Sequence, residues 1–273
     1  NSMKIFCLSN NTVLMSSGFW GEHGLSFYIE TGDTNILMDT GQSGDVLLHN
    51  AGLMGIDLRK VDSIVLSHGH YDHTGGLMKV LDITGKVKIY AGSHAFEEKL
   101  AKKEETYKDI GMPVTRQYLE ERCDLEIVDS DVEIARDIVV TGRIERLTEF
   151  EKAQENLLVK HGDAVQVDPV YDDRSLVVKS KESPLLLCGC CHSGIINTMM
   201  HVNRKHSITP EIIAGGLHME KADPVRMSGT VGALKSAKVK KVIAGHCTGN
   251  ALIPALRAAG VNAIELTAGM RIL

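Results

Sequence analysis

Ser67-His68-Gly69-His70-Tyr71-Asp72-His73-Thr74-Gly75-Gly76 decides how this chain is read. Three histidines and one aspartate fall within six positions. Just ahead, Val61-Asp62-Ser63-Ile64-Val65-Leu66 is an apolar, β-branched run that reads as a buried strand. Imidazole and carboxylate are ligand types that suit zinc, iron or manganese. His68 and His70 are two apart, so in an extended loop both side chains point the same way. Asp72 and His73 follow where the chain turns toward a helix opened by Thr74-Gly75-Gly76, and they can face a second position. A polar loop can be histidine-rich by chance, but the whole chain has only 12 histidines, so this density points to a metal site.

At 273 residues the chain is long enough for a full core and ordinary for one α/β domain with an insertion. Its 43% hydrophobic and 24% charged residues are globular values. A net charge of −5 gives no reason to expect a nucleic-acid or anionic-membrane partner. No apolar run approaches the ~20 residues of a membrane helix. Asn1-Ser2 ahead of Met3 reads as a remnant of cloning. Met3-Lys4-Ile5-Phe6-Cys7-Leu8 runs straight into polar sequence, without the pattern of a signal peptide. Of the six cysteines, Cys188, Cys190 and Cys191 crowd one strand end and Cys247 follows a histidine. That is no disulfide framework, and a reducing cytoplasm is the expected home.

Strand-like runs open the chain at Met3–Leu8, Leu25–Glu30 and Asn35–Asp39, with Gly32-Asp33 as a hairpin turn. Ser43–Gly55 reads as an amphipathic helix, Thr74–Leu81 as a helix and Lys86–Tyr90 as a strand. Over 94–170 the pattern changes. Ala95–Lys103 and Thr115–Arg122 read as charged helices, with short strands at Leu125–Val128, Val132–Ala135 and Ile138–Thr141. This stretch is expected to be an insertion within a single domain spanning 1–273. Afterwards strands at Leu176–Lys179, Leu185–Gly189, Glu211–Ala214 and Lys241–Ala244 alternate with helices at Gly194–Asn203, Asp223–Ala237 and Asn250–Ala259. Ala263–Leu266 and Met270–Leu273 close the chain as strands. The expected class is α/β, two sheets with helices outside them.

Three later histidines each follow an apolar strand: His192 after Leu185–Cys191, His218 after Ile212–Leu217, and His246 after Val242–Gly245. Strand carboxyl ends are where an α/β architecture builds its site. With the opening motif they offer six histidines and one aspartate to one pocket.

The order His68-Gly69-His70-Tyr71-Asp72-His73, then His192, then His246, resembles the metallo-β-lactamase superfamily. Asp39, in Ile36-Leu37-Met38-Asp39-Thr40-Gly41, matches that superfamily's aspartate at the end of an early strand. The resemblance spans nearly the whole chain. It implies an αββα sandwich, with the insertion lying between the first metal motif and the third histidine ligand. It further implies two divalent metal ions, zinc first, with iron or manganese as alternatives. His68, His70 and His192 would hold one, and Asp72, His73 and His246 the other. Gly21-Glu22-His23-Gly24, Gly189-Cys190-Cys191-His192-Ser193-Gly194, Gly215-Gly216-Leu217-His218 and Gly245-His246-Cys247-Thr248-Gly249 narrow the resemblance to one subgroup. Its members are labelled 7,8-dihydropterin-6-yl-methyl-4-(β-D-ribofuranosyl)aminobenzene 5′-phosphate synthase.

In many hydrolases of the superfamily an aspartate between the positions of His192 and His246 bridges the metals. Here none directly follows the strand Glu211–Ala214, and the nearest candidates are His218 and then Asp223. His218 is expected either to ligate a metal or to face the substrate, the alternative being a structural histidine. The chemistry implied is a metal-activated hydroxide, oriented by Asp72, attacking a phosphate- or ester-bearing small molecule. A phosphorylated pterin riboside is the named guess. Alternatives are a transferase of the subgroup's type, a di-iron oxidoreductase and a non-catalytic metal-binding protein. Asp39 is expected to fix a histidine tautomer from behind. Glu22 and His23 either reach the pocket or hold their own loop. Phe19 and Trp20 either stack a flat substrate ring or plug the loop. Cys190, Cys191 and Cys247 flank presumed ligands and could bind a soft metal, but without a Cys-x-x-Cys pair they are expected to pack as small hydrophobes. Arg174 could meet a phosphate but is expected to form a surface ion pair, and Lys99–Glu105 to be a solvated helix face.

Overall fold

The computed structural model describes residues 3–273; Asn1-Ser2, read above as a cloning remnant, lie outside the described residues. The first part of the chain forms β1 (Lys4–Ser9), β2 (Ser26–Glu30), β3 (Asn35–Met38), α1 (Asp45–Leu53), β4 (Ser63–Val65), α2 (Tyr71–Thr74), α3 (Leu77–Thr84) and β5 (Lys88–Ala91). Next come β6 (Glu98–Lys103), β7 (Thr106–Asp109), α4 (Arg116–Arg122), β8 (Asp124–Ile127), β9 (Val132–Ala135), β10 (Ile138–Val140), β11 (Leu157–His161) and β12 (Ala164–Val167). The last part holds β13 (Ser175–Val178), β14 (Leu185–Cys188), α5 (Ile195–His206), β15 (Ile212–Gly216), α6 (Pro224–Ser236), β16 (Lys241–Gly245), α7 (Leu252–Ala258) and β17 (Ala263–Glu265).

Two sheets dominate, with strand orders β1-β2-β3-β4-β5-β8 and β17-β16-β15-β14-β13-β10-β9. In the first, β3, β4, β5 and β8 run parallel. In the second, β14 to β17 do the same. Period-two alternation sorts each strand between two apolar layers. Ile36 and Met38 enter the layer between the sheets while Leu37 turns to the helices. Leu185 and Leu187 point inward while Leu186 and Cys188 point out. A one-residue slip would exchange the faces, so burial on both sides pins the register. Leu47 of α1, Leu77 and Val80 of α3 and Leu119 of α4 cover the first sheet. Ile195, Met199 and Val202, an i, i+4, i+7 stripe on α5, cover the second together with Leu234, Leu252 and Leu256. The result is the αββα sandwich expected from the sequence. Asp223 serves it structurally: its side chain accepts from Arg226 N as the N-cap of α6, with Pro224 in the first turn. No helix among the described residues is long and apolar enough to cross a membrane.

The 94–170 stretch departs from the expected insertion. β8 extends the first sheet and β9 and β10 the second, so much of the stretch is woven into the sandwich. Only the hairpins β6-β7 and β11-β12 stand apart, as a four-stranded sheet ordered β12-β11-β6-β7. The helix expected over Ala95–Lys103 is instead a short 3-10 turn, Ser93–Phe96, followed by β6. Met270–Leu273 forms no separate strand; it runs beside β1 through Cys7 N to Met270 O (2.9 Å) and Ile272 N to Ile5 O (2.7 Å).

Lys99 explains why that helix reading failed. Far from lying on a solvated face, it is fully buried. Its Nζ donates to Asp168 Oδ2 at 2.8 Å and Asp172 Oδ1 at 2.9 Å. Burial pushes the ammonium pKa down, and the Asp172 and Asp168 carboxylates more than reverse this. Charge compensation across β6, β12 and the following loop thus outweighs the local preference for a helix. Lys99→Met leaves the buried Asp168 and Asp172 carboxylates without their cation and should lower stability by about 3–5 kcal/mol. Urea unfolding measures this, and a loss below about 1 kcal/mol, as for a surface pair, would refute the network's role.

Candidate metal centre

The expected ligands gather where parallel strands end. His68 and His70 leave β4, His192 leaves β14, His218 leaves β15 and His246 leaves β16, and Cys190 stands beside His192 at the end of β14. Sharp turns occur at these ends: Asp39, Cys191, His218 and His246 have φ of 60°, 55°, 48° and 52°. Left-handed backbone at non-glycine residues is uncommon and costs of order 1–3 kcal/mol, so it persists only where surrounding contacts enforce it. Gly69 meets a different demand: a Cβ there would collide with the Ala95 carbonyl, so only glycine lets the metal loop lie that close.

Two donor sets result. His68, His70 and His192 form one, buried throughout. His68 Nε2 lies 3.0 Å from His70 Nδ1. Asp72, His73, Cys190 and His246 form the other, with all four donor atoms within 4.8 Å of one another. There His73 Nε2 is 3.0 Å from Cys190 Sγ and 3.2 Å from His246 Nε2. Asp72 Oδ2 is 3.0 Å from His246 Nε2. Buried polar atoms normally have partners, yet His70 Nε2 and His192 Nε2 have none. Converging lone pairs with unmet bonding capacity are what a divalent ion fits, and imidazole with carboxylate is a donor set for zinc, iron or manganese.

Carboxylates hold these ligands from behind. Asp39, fully buried, accepts from Ser67 N at 2.7 Å and from Ser67 Oγ at 2.6 Å, and it sits 2.7 Å from His73 Nδ1. A carboxylate acceptor fixes the proton on Nδ1 and leaves Nε2 for the site. Ser67 Oγ is also 2.9 Å from His68 Nδ1. From the second sheet, Asp172 accepts from Gly69 N at 2.7 Å and Asp173 from Ser193 N at 2.8 Å. Arg174 N donates to Ser67 O at 2.8 Å. Arg174 is thus no surface ion pair: it is 1% exposed, and its guanidinium donates to the Val128, Tyr171 and Asp173 carbonyls and to Asp129. Sequence reasoning missed this Asp172-Asp173-Arg174 support. The available signal was three charges directly ahead of an apolar strand.

The remaining candidates divide. His23 reaches the site, with Nε2 3.3 Å from Asp72 Oδ2. Glu22 turns away and accepts from Gln42 N and Ser43 N at 3.0 and 3.1 Å, holding that loop. Trp20 stacks on His49 at 3.8 Å, outside the cavity. Phe19 packs against Gly269. His218 lies beside His192, ring centroids 4.2 Å apart, and its Nε2 is 2.8 Å from Gln154 Oε1. It groups with Cys190 and Cys247 instead of either main set. Cys190 and Cys247 therefore lie among donors, the alternative that the sequence reading had ranked below packing; Cys191 does pack, in the layer under α5. The signal for Cys190 was its place two residues before His192, the spacing that joins His68 and His70. Both donor sets open on a cavity of about 780 Å³, one through His70 and His192 and the other through Asp72, Cys190 and His246. Lys108 of β7, with Gln154, Asn156 and Leu157, forms a wall of it, so the small third sheet lines the site.

Burial pushes the His68 and His192 imidazoles well below their ordinary pKa, helped by neighbouring imidazoles, and takes His70 down to about 4. These three are neutral at pH 7 and ready to ligate. At His73 burial also pulls downward, but the Asp72 and Asp39 carboxylates raise it to about 9. Burial alone would raise Asp72, yet His73 and His246 hold it far below the usual carboxylate range. Metal binding needs neutral imidazole. Loading the Asp72 set at pH 7 should therefore release at least the His73 proton. Its apparent affinity should climb about tenfold or more per pH unit until about pH 9, while the His68 set stays nearly flat above neutrality. Calorimetric metal titrations in buffers of different ionisation enthalpy check this, and equal, pH-independent affinity at both sets would refute it.

Known proteins share the sequence pattern and the fold. The profile of the metallo-β-lactamase superfamily matches residues 20–246. A 7,8-dihydropterin-6-methyl-4-(β-D-ribofuranosyl)-aminobenzene-5′-phosphate synthase of Methanocaldococcus jannaschii is 32% identical over 261 residues, covering 91% of this chain and 88% of its own. An uncharacterised protein of the same organism is 36% identical over 234 residues, covering 85% of this chain and 86% of its own. The crystal structure of Tm1679, a metal-dependent hydrolase of the β-lactamase superfamily, shares the fold with a TM-score of 0.87 over 100% of this chain and 99% of its own, at 24% identity. Since the profile spans most of the sequence, residues 68–73 included, and a relative is 32% identical over 91% of it, the chain belongs to the metallo-β-lactamase superfamily.

Proposed function

We propose that this chain is a metal-dependent enzyme acting on a phosphate- or ester-bearing small molecule. It holds two divalent ions, zinc first, through His68, His70 and His192 and through Asp72, His73 and His246. One observation carries the reading: both donor sets converge on a single cavity of about 780 Å³, with His70 Nε2 and His192 Nε2 buried and unpaired. That volume is in the range of small-molecule sites.

Bound divalent ions would lower the pKa of a coordinated water to about 7 and polarise a phosphoryl or carbonyl oxygen. The chain's own residues supply the rest. Asp72 Oδ2 lies 3.3, 3.5 and 3.0 Å from the Nε2 atoms of His23, His73 and His246, and from that meeting point it orients what binds there. Burial keeps His23 below its ordinary pKa, so it is a neutral imidazole at pH 7, half-exposed at the cavity mouth and able to accept or return a proton. Lys108, Lys221 and Arg257 line the cavity and supply positive charge for a phosphate. Tyr71, with Lys108 Nζ 4.6 Å over its ring, offers a face to a flat substrate. The name of the M. jannaschii relative extends this to a phosphorylated pterin or aminobenzene riboside, and it supports a second reading, transfer in place of hydrolysis.

Protein purified without chelators should contain metal, and chelation should abolish turnover that an added divalent ion restores. The assay is a panel of phosphodiesters, phosphomonoesters and lactones, with an aminobenzene acceptor included to detect transfer. The double variant Lys108→Ala, Lys221→Ala should raise KM for phosphorylated substrates about tenfold, roughly 1.4 kcal/mol, and leave uncharged esters unaffected. Unchanged metal stoichiometry in the double variant His68→Ala, His70→Ala would defeat the ligand assignment.

A further inference from the structure

The two donor sets are short of negative charge. His68, His70 and His192 ligate as neutral imidazoles, and Asp72 is the one carboxylate in either set. Two divalent ions would meet a single negative charge among the atoms that contact them, the Asp39, Asp172 and Asp173 carboxylates being held behind the ligands by their own hydrogen bonds, and an uncompensated charge in a buried site is costly. His218 adds no anion, and its Nε2 is engaged with Gln154 Oε1.

Cys190 stands where the charge is missing. Its Sγ lies 3.0 Å from His73 Nε2, and it shares with Asp72, His73 and His246 a group whose donor atoms all fall within 4.8 Å. The side chain is 3% exposed and the thiol is free. The turn at Cys191 (φ 55°) lets one short loop send Cys190 to one donor set and His192 to the other. We propose that Cys190 is a thiolate ligand in the Asp72, His73 and His246 site. The proposal rests on the reading of these donor sets as metal sites. A coordinating thiol gives up its proton, so loading releases it to solvent and the set then carries two negative charges. A soft sulfur ligand biases that position toward zinc, or cobalt in its place, over manganese. Cys247 is the internal control. It is buried nearby, with Sγ 3.7 Å from Cys190 O, but it groups with His218 and Cys190 and not with Asp72 or His73.

Cobalt(II) is the probe. Metal-free protein titrated to saturation should develop a sulfur-to-cobalt charge-transfer band in the near ultraviolet. Cys190→Ser should abolish the band and weaken cobalt binding at that position by at least about tenfold, whereas Cys247→Ser should retain both. A saturated wild type without the band, a band that survives Cys190→Ser, or a band lost only in Cys247→Ser would each overturn the proposal. Should Cys190→Ser fail to fold, X-ray absorption on zinc-loaded wild type decides. A sulfur neighbour at about 2.3 Å supports the thiolate, and a shell of nitrogen and oxygen alone overturns it. Wild type that takes up neither cobalt nor zinc would instead remove the metal reading of the whole site.

Discussion

The buried Asp39 carboxylate is the interaction on which the centre depends. It takes hydrogen bonds from the backbone and hydroxyl of Ser67, where the metal loop begins, and faces His73 Nδ1, where the loop becomes a helix. One side chain thereby sets the start, the end and one imidazole tautomer of a seven-residue segment. A fully buried carboxylate would be costly alone; here the contacts that satisfy it are the ones that shape the loop. Its position at the end of β3, in left-handed backbone, aims it at the neighbouring parallel strand β4.

The second sheet completes what Asp39 starts. Asp172 and Asp173 bind the backbones of Gly69 and Ser193, one beside each histidine loop, and Arg174 binds the carbonyl of Ser67. Lys99 from the small third sheet neutralises Asp172 from behind. A continuous run of polar contacts therefore joins all three sheets at the cavity. The apolar layer between the large sheets sets their distance, and these buried charges set the alignment of their edges. Such networks discriminate more than they stabilise, because a partly satisfied version is costly.

Much of the fold was legible in the sequence because the sandwich buries both faces of each sheet and so imposes period-two and helical patterns on long stretches. Ile36-Leu37-Met38 and Leu185-Leu186-Leu187 show it, each dividing its side chains between two apolar layers. The loop that gathers the candidate donors was legible from donor density alone. Legibility failed where charged residues are buried. Lys99 and Arg174 read as surface groups because an isolated lysine or arginine belongs there; their partners come from distant segments. Glu22 read as a pocket candidate because it neighbours His23, and Trp20 because an aromatic in that loop could stack a flat ring, but only His23 turns to Asp72.

Sequence by itself determined the alternating strands, the helices that cover them, the superfamily's spaced histidines, and the lack of a carboxylate directly after the strand that precedes His218. Tertiary structure decided which donors meet. Cys190 and His73 are 117 positions apart and follow strands of different sheets, yet their donor atoms stand 3.0 Å from each other. No local periodicity encodes that distance. It follows from how two independently patterned sheets align across their shared core, and from the buried carboxylates that hold the strand ends once they arrive.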